Sequence, residues 1–75
     1  MLTAVAWAAR RARRSAGVSR WQVAGGAGVD ESTIARFERA RAWPHDPDGL
    51  VESYAELCDL RSREIWQAAI NAWND

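Results

Sequence analysis

The chain has 75 residues and a mass of 8.4 kDa, the size of one small domain over residues 1–75. Its apolar fraction of 48% excludes a disordered segment, and no apolar run approaches the roughly 20 residues that cross a bilayer. Positive charge near the start follows the apolar stretch instead of preceding it, which argues against a signal peptide. The single cysteine, Cys58, excludes an internal disulfide and favours a reducing, cytoplasmic setting.

The formal net charge of zero conceals two halves of opposite sign. Residues 1–41 carry eight arginines and three acidic side chains, whereas residues 42–75 carry two arginines and seven acidic side chains. This segregation favours binding of a polyanion on one side of the molecule only. Chance segregation in a small protein is the alternative interpretation.

The N-terminal half of the chain predicts three short helices, because apolar residues recur at helical spacing and no segment alternates with period two. The first covers about residues 3–16, and Gly17 follows its end. Ser19 is expected to cap the second helix, which Gly28 closes. Asp30 is expected to cap the third.

Two further helices are predicted after a loop that contains Pro44 and Pro47. They cover about residues 47–59 and 62–73, with Asp46 and Ser62 as caps. The apolar face of the fourth helix has five members: Leu50, Val51, Tyr54, Leu57 and Cys58. That of the fifth also has five: Ile65, Trp66, Ala69, Ile70 and Trp73. The sequence therefore predicts an all-α, compact five-helix bundle.

Residues 19–40 hold the most informative pattern, two short helices joined by a tight glycine turn. Ala24 and Gly28 are four residues apart, which places a small side chain where the helices cross and a positive φ in the turn. Val29 and Ile34 are expected to pack the third helix onto the second. This spacing is typical of a helix-turn-helix, whose second helix enters the DNA major groove.

The pattern resembles the Cro and phage-repressor (XRE) class of helix-turn-helix proteins. The agreeing positions are Arg13, Gly17-Val18-Ser19, Val23-Ala24, Ala27-Gly28-Val29, Ser32-Thr33-Ile34, Arg36-Phe37-Glu38 and the run from Ala40 to Pro44. The resemblance implies a lambda-repressor-like fold and a sequence-specific regulator of transcription, of repressor type, in a bacterial cell or phage-infected host. Three positions depart from the pattern: Arg20 replaces a usual glutamine, Trp21 a usual acidic residue, and Ala40 a usual glycine, which predicts a less sharp turn there.

The resemblance also implies roles for individual side chains. In a recognition helix over residues 30–39, three are expected to face base edges: Glu31, Ser32 and Arg36. Six others are expected to contact phosphates: Ser19, Arg20, Arg39 and Arg41 around the motif, and Arg10 and Arg14 from the first helix. The alternative for Glu31 is a dipole-stabilising acid at a helix start, and the alternative for each arginine is a solvated surface side chain.

Two more pairs have structural roles under the same resemblance. Arg13 and Glu38 are expected to form a partly buried ion pair that fixes the angle between the first and third helices.

Proteins of this class bind two half-sites about one helical turn apart, so the partner is expected to be a pseudo-palindromic DNA operator. Ile70 and Trp73 are the expected contacts of a weak homodimer, with Ile65, Trp66 and Ala69 turned inward.

A second interpretation assigns the chain to another class, a protein-interaction module such as an antitoxin or an antirepressor-like partner. It would use exposed tryptophans, with Trp7 and Trp21 the expected ones, and the acidic face of the fourth helix; Trp43 is expected to fold back onto the core. Enzyme chemistry is not indicated, because His45 and Cys58 do not form zinc-ligand spacing and no phosphate-cradling glycine motif is present. The sequence predicts no cofactor, no metal and no small-molecule substrate.

Overall fold

The computed structural model describes all 75 residues and has five α-helices and no strand. The helices are α1 (Leu2–Ser15), α2 (Arg20–Ala27), α3 (Glu31–Glu38), α4 (Pro47–Leu57) and α5 (Ser62–Asn74). The predicted all-α bundle is confirmed, and the helix boundaries differ from the predicted ones by at most two residues. No helix combines the length and the apolar character that crossing a bilayer requires.

One core receives side chains from all five helices. Helix α1 contributes Val5 and four alanines, and these small side chains let it lie close along α5. The largest fully buried side chains are Tyr54, Phe37 and Ile34, so α4 and α3 fill the centre of the bundle. Phe37 and Tyr54 meet edge to face, with ring centroids 6.0 Å apart. Helix α3 is therefore held against the bundle by its inner face.

The helix starts follow the predicted capping residues in part. Ser19 Oγ accepts the amide N–H of Gln22 at 3.0 Å, and the Gln22 side chain accepts the amide N–H of Ser19 at 2.8 Å. Asp46 Oδ1 accepts the amide N–H of Gly49 at 3.1 Å at the start of α4. Asp30 occupies the cap position of α3, but its side chain makes no capping hydrogen bond.

The predicted cap of α5 is wrong. Ser62 is the first residue of the helix and Arg61 is the cap residue. Glu64 reaches back and accepts the amide N–H of Arg61 at 2.7 Å. The Glu64 carboxylate in the first turn of α5 thus accepts the free amide N–H at the start of the helix. The Ser62 hydroxyl therefore has no capping role.

Three apolar residues lie further out than their sequence positions predicted. Trp43 is 45% exposed, and the neighbouring Pro44 lines the space between α2, α3 and α4. Val29 is exposed in the turn, which leaves Ile34 as the buried residue that packs α3 inward. Helix α4 ends at Leu57, whose side chain is exposed in the last turn. The expectations that Trp43 and Val29 pack inward are wrong, whereas the Leu57 side chain, expected on the apolar face of α4, lies beside Gly26 of α2.

The end of α3 makes a sharp turn without glycine. Ala40 has a φ of 56°, in the left-handed region, and the amide N–H of Arg41 donates to the carbonyl of Arg36 at 2.9 Å. The corresponding turn after α1 uses Gly17 with a φ of 69°. The expectation of a less sharp turn at Ala40 is therefore wrong, and an alanine adopts a conformation that glycine adopts more easily.

Replacing Ala40 with glycine is expected to raise the free energy of unfolding by about 0.5–1 kcal/mol. Relief of the left-handed strain exceeds the entropy that glycine adds to the unfolded chain. Urea denaturation measures the difference, and Ala35→Gly inside α3 is the matched control, expected to lower stability by about 0.5–1 kcal/mol. A loss of stability in Ala40→Gly equal to that of the control would contradict the strain argument.

Candidate nucleic-acid interface

Helices α2 and α3 pack against each other across the turn at Gly28, which has a φ of 69°. Ala24 is buried, as a helix crossing at that residue requires. Along α3 successive residues are rotated by about 100°, so Ile34, Phe37 and Glu38 share the buried side. The opposite side faces away from the bundle and carries exposed polar side chains, Ser32 and Arg36 among them, whereas Glu31 is exposed on the side of the helix that Glu38 shares.

A polar groove of about 490 Å³ runs between α1, the start of α2 and one side of α3. Nine residues line this basic groove: Arg10, Arg13, Arg14, Ser19, Arg20, Trp21, Glu31, Glu38 and Arg39. Five of the six expected phosphate contacts lie here, together with Glu31, one of the three expected base contacts. Residues from three helices are thus brought to one place.

The arginines of the basic groove differ in how their charge is compensated. Arg13 pairs with Glu38, and this is the only salt bridge of the structure. Four others have no acidic side-chain oxygen within 4.0 Å: Arg10, Arg14, Arg20 and Arg39. Uncompensated guanidinium groups in one groove repel each other and favour an anion that contacts several of them together.

The remaining predicted contacts lie outside the basic groove. Ser32 is exposed on the outer side of α3, and Arg41 is exposed beyond its end. Arg36 lines a separate cleft of about 250 Å³ between α3 and the following loop, with Trp43 and His45. Residue spacing does not predict this cleft, because the path of the loop beside α3 forms it.

Glu38 is bound from two other helices. Arg13 Nε donates to Glu38 Oε2 at 2.7 Å and Arg13 Nη2 to Glu38 Oε1 at 2.9 Å, a bidentate pair. Arg13 Nη1 also donates to the carbonyl of Val18 at 3.0 Å. The Tyr54 hydroxyl donates to Glu38 Oε2 at 2.7 Å. The Arg13 and Glu38 side chains are only 12% and 4% exposed, so the network is shielded from water.

Sequence reasoning missed Tyr54 as a member of this network. The sequence did contain a clue, because Tyr54 lies on the apolar face of α4. A tyrosine that is buried there carries a hydroxyl group that needs a hydrogen-bond partner. Burial, followed by the hydrogen bond to Glu38, raises the pKa of Tyr54 well above its usual range. The hydrogen bond to Glu38 likewise raises the pKa of Arg13. Tyr54 therefore stays a donor, and Arg13 stays charged, at neutral pH.

The sequence of the chain matches the model of one known protein family. The family model described as "Helix-turn-helix domain" matches residues 4–65, from α1 to the first turns of α5. The chain belongs to the helix-turn-helix domain family. This is a family of DNA-binding domains. Searches of curated proteins and of solved structures found no match to the chain.

The other residues predicted to make contacts lie on α5 and α1. On α5, Ile70 is exposed and Trp73 is 61% exposed, whereas Ile65 and Ala69 are buried and Trp66 is half-buried. On α1, the exposed ring of Trp7 is covered in part by the guanidinium of Arg11, 5.2 Å from the ring centroid. No group of three or more His, Cys, Asp and Glu side chains is arranged to hold a metal ion.

Proposed function

We propose that this chain is a sequence-specific regulator of transcription that binds double-stranded DNA, a repressor of the Cro and phage-repressor (XRE) class that acts in the cytoplasm. The observation that supports this function best is the basic groove beside the exposed side of α3. Its four uncompensated arginines suit the phosphates of a duplex, while the neighbouring helix face suits the major groove.

The proposal gives the exposed side chains distinct roles. Glu31, Ser32 and Arg36 contact base edges, since arginine pairs with guanine, glutamate accepts from cytosine and serine contacts several bases. The phosphates are held by six residues from α1, the start of α2 and the stretch after α3: Arg10, Arg14, Ser19, Arg20, Arg39 and Arg41. The capping box supports the role of Ser19, because its oxygen accepts from Gln22 and its hydroxyl hydrogen remains available to a phosphate.

Selection of bound sites from a random duplex pool, followed by a salt titration on the preferred site, tests the function. The logarithm of affinity is expected to fall linearly with the logarithm of salt concentration, with a slope of about −0.9 for each phosphate contact. Arg20→Ala is expected to make the slope shallower by about one unit, whereas Arg63→Ala, an exposed arginine on α5, should leave it unchanged. Absence of duplex binding at low salt would contradict the proposal.

We also propose that two copies bind together as a weak homodimer through Ile70 and Trp73 of α5. Both side chains are exposed and lie on a helix outside the helix-turn-helix motif. Two recognition helices about 34 Å apart match one turn of DNA, so footprinting is expected to show two protected half-sites. Mass measurement at high concentration detects the free dimer. A single protected half-site would contradict the pairing.

A second candidate function is a protein-interaction module of the antitoxin or antirepressor-like type. The exposure of Trp73 and the exposed acids Glu52 and Glu56 of α4 favour it. The basic groove does not contribute to this function. The salt titration separates the two candidates, because a module of this kind is expected to show no affinity for any duplex, even at low salt.

A further inference from the structure

Trp21 is the most exposed large apolar residue of the chain, at 74%. It lies in the first turn of α2, on the wall of the basic groove, beside the expected phosphate contacts Ser19 and Arg20. A tryptophan so open to water marks a contact surface, because burying an indole on a partner recovers a large apolar area.

Trp21 differs from the exposed tryptophan on α1. The ring of Trp7 has the Arg11 guanidinium 5.2 Å from its centroid, which covers one face. No guanidinium covers the ring of Trp21, although it shares the groove with five arginines. The indole and the cations of the groove are therefore separately available, and a ligand can occupy both.

The composition of the basic groove specifies the chemistry of that ligand. Eight of its nine lining residues are polar or charged, and Trp21 is the only apolar one. A fitting partner carries several anionic groups with an apolar surface between them. The sugar–phosphate backbone of DNA has this alternation, because each phosphate is flanked by deoxyribose rings. The indole Nε1–H is also a donor that a phosphate oxygen accepts.

We propose that Trp21 packs against a deoxyribose of the duplex backbone while the arginines of the basic groove hold the adjoining phosphates. The inference rests on the DNA-binding function proposed above and adds to it an uncharged contact. Such a contact strengthens binding to preferred and random duplexes alike, because every nucleotide has the same sugar. It leaves the salt slope unchanged, since no counterion is released by an indole.

The contact is tested by measuring affinity for the preferred duplex and for a random duplex, each over a salt series, in Trp21→Ala, Trp21→Phe and the control Trp7→Ala. Trp21→Ala is expected to bind both duplexes about fivefold to tenfold more weakly with the wild-type salt slope. Trp21→Phe is expected to keep part of the lost affinity, because a smaller ring still covers the sugar. Trp7→Ala removes an exposed tryptophan that lies outside the basic groove and outside the proposed dimer contact, and it is expected to stay within about twofold of wild type on both duplexes.

A fluorescence measurement gives an independent result. The duplex is expected to protect tryptophan emission from quenching by acrylamide in the wild-type protein and in Trp7→Phe, and to protect it less in Trp21→Phe. Wild-type affinity and wild-type protection in the Trp21 variants would overturn the inference while leaving the proposed function intact. If the wild-type protein itself binds no duplex, both are overturned. Thermal melting checks that each variant remains folded, as expected for so exposed a side chain.

Discussion

Replacing Glu38 with alanine is expected to lower the free energy of unfolding by about 3 kcal/mol. The substitution leaves the Arg13 guanidinium shielded from water without its carboxylate, and the Tyr54 hydroxyl loses its acceptor in the same step. Removing one member of a buried ion pair costs about 3–5 kcal/mol, and the residual exposure of Arg13 places the value at the lower end. Urea denaturation followed by circular dichroism measures the loss.

Two control substitutions show how much of the stability lost in Glu38→Ala comes from the buried network. Tyr54→Phe keeps the ring in the core and removes one hydrogen bond, so a loss of about 1–1.5 kcal/mol is expected. Glu52→Ala removes an exposed acid from α4 and is expected to change stability by less than about 0.5 kcal/mol. A Glu38→Ala protein as stable as the Glu52→Ala protein would show that the network does not stabilise the fold.

Under the proposed function, Arg36→Ala is expected to weaken binding to the preferred site by about 1–3 kcal/mol and to relax the choice of base opposite it. Arg36 is exposed on the outer side of α3 and follows Ser32 by about one turn, so both point in nearly the same direction. A bidentate pair between arginine and guanine discriminates against other bases by this amount. Repeating the site selection with the variant measures the relaxation.

Arg41→Ala is the matched control for Arg36→Ala. Arg41 lies beyond the end of α3, and we expect it to contact a phosphate. Its removal is expected to weaken binding to preferred and random duplexes equally and to make the salt slope shallower by about one unit. If Arg36→Ala also weakens binding to both duplexes equally and makes the salt slope shallower, Arg36 contacts a phosphate. The side of α3 that contacts bases would then be the side that faces the basic groove and carries Glu31.

The sequence predicted the helices well because their periodicity and their end signals agree. Gly17 and Gly28 end helices with the left-handed backbone that glycine favours, and Ser19 makes the capping box that its spacing with Gln22 allows. The errors in the predicted helix ends occur where more than one nearby side chain could cap the same helix. At the start of α5 a carboxylate in the first turn acts in place of the preceding serine, and this choice depends on side-chain conformation.

The candidate site was less predictable, because it depends on how separate segments meet. Spacing on α1 placed Arg10 and Arg14 outward, but only tertiary packing shows that Arg39 lies beside them. The cleft beside Arg36 depends on the path of the loop through Trp43, which local pattern does not specify. Spacing thus predicts side-chain positions where one helix contains the residues concerned, whereas the Arg13–Glu38 pair between α1 and α3 was expected from the family resemblance.

The hydrogen bonds of Glu38 make α3 unequal at its two ends. Its last turn is tied to α1 and to α4 through one carboxylate, whereas Asp30 contributes no side-chain hydrogen bond to its first turn. The anchored end sets the direction in which the helix projects from the bundle. The end that carries Glu31 and Ser32 has no such side-chain hydrogen bond and is held by the buried side chain of Ile34. Hydrogen bonds therefore position the last turn of this eight-residue helix, and apolar packing positions its first turn.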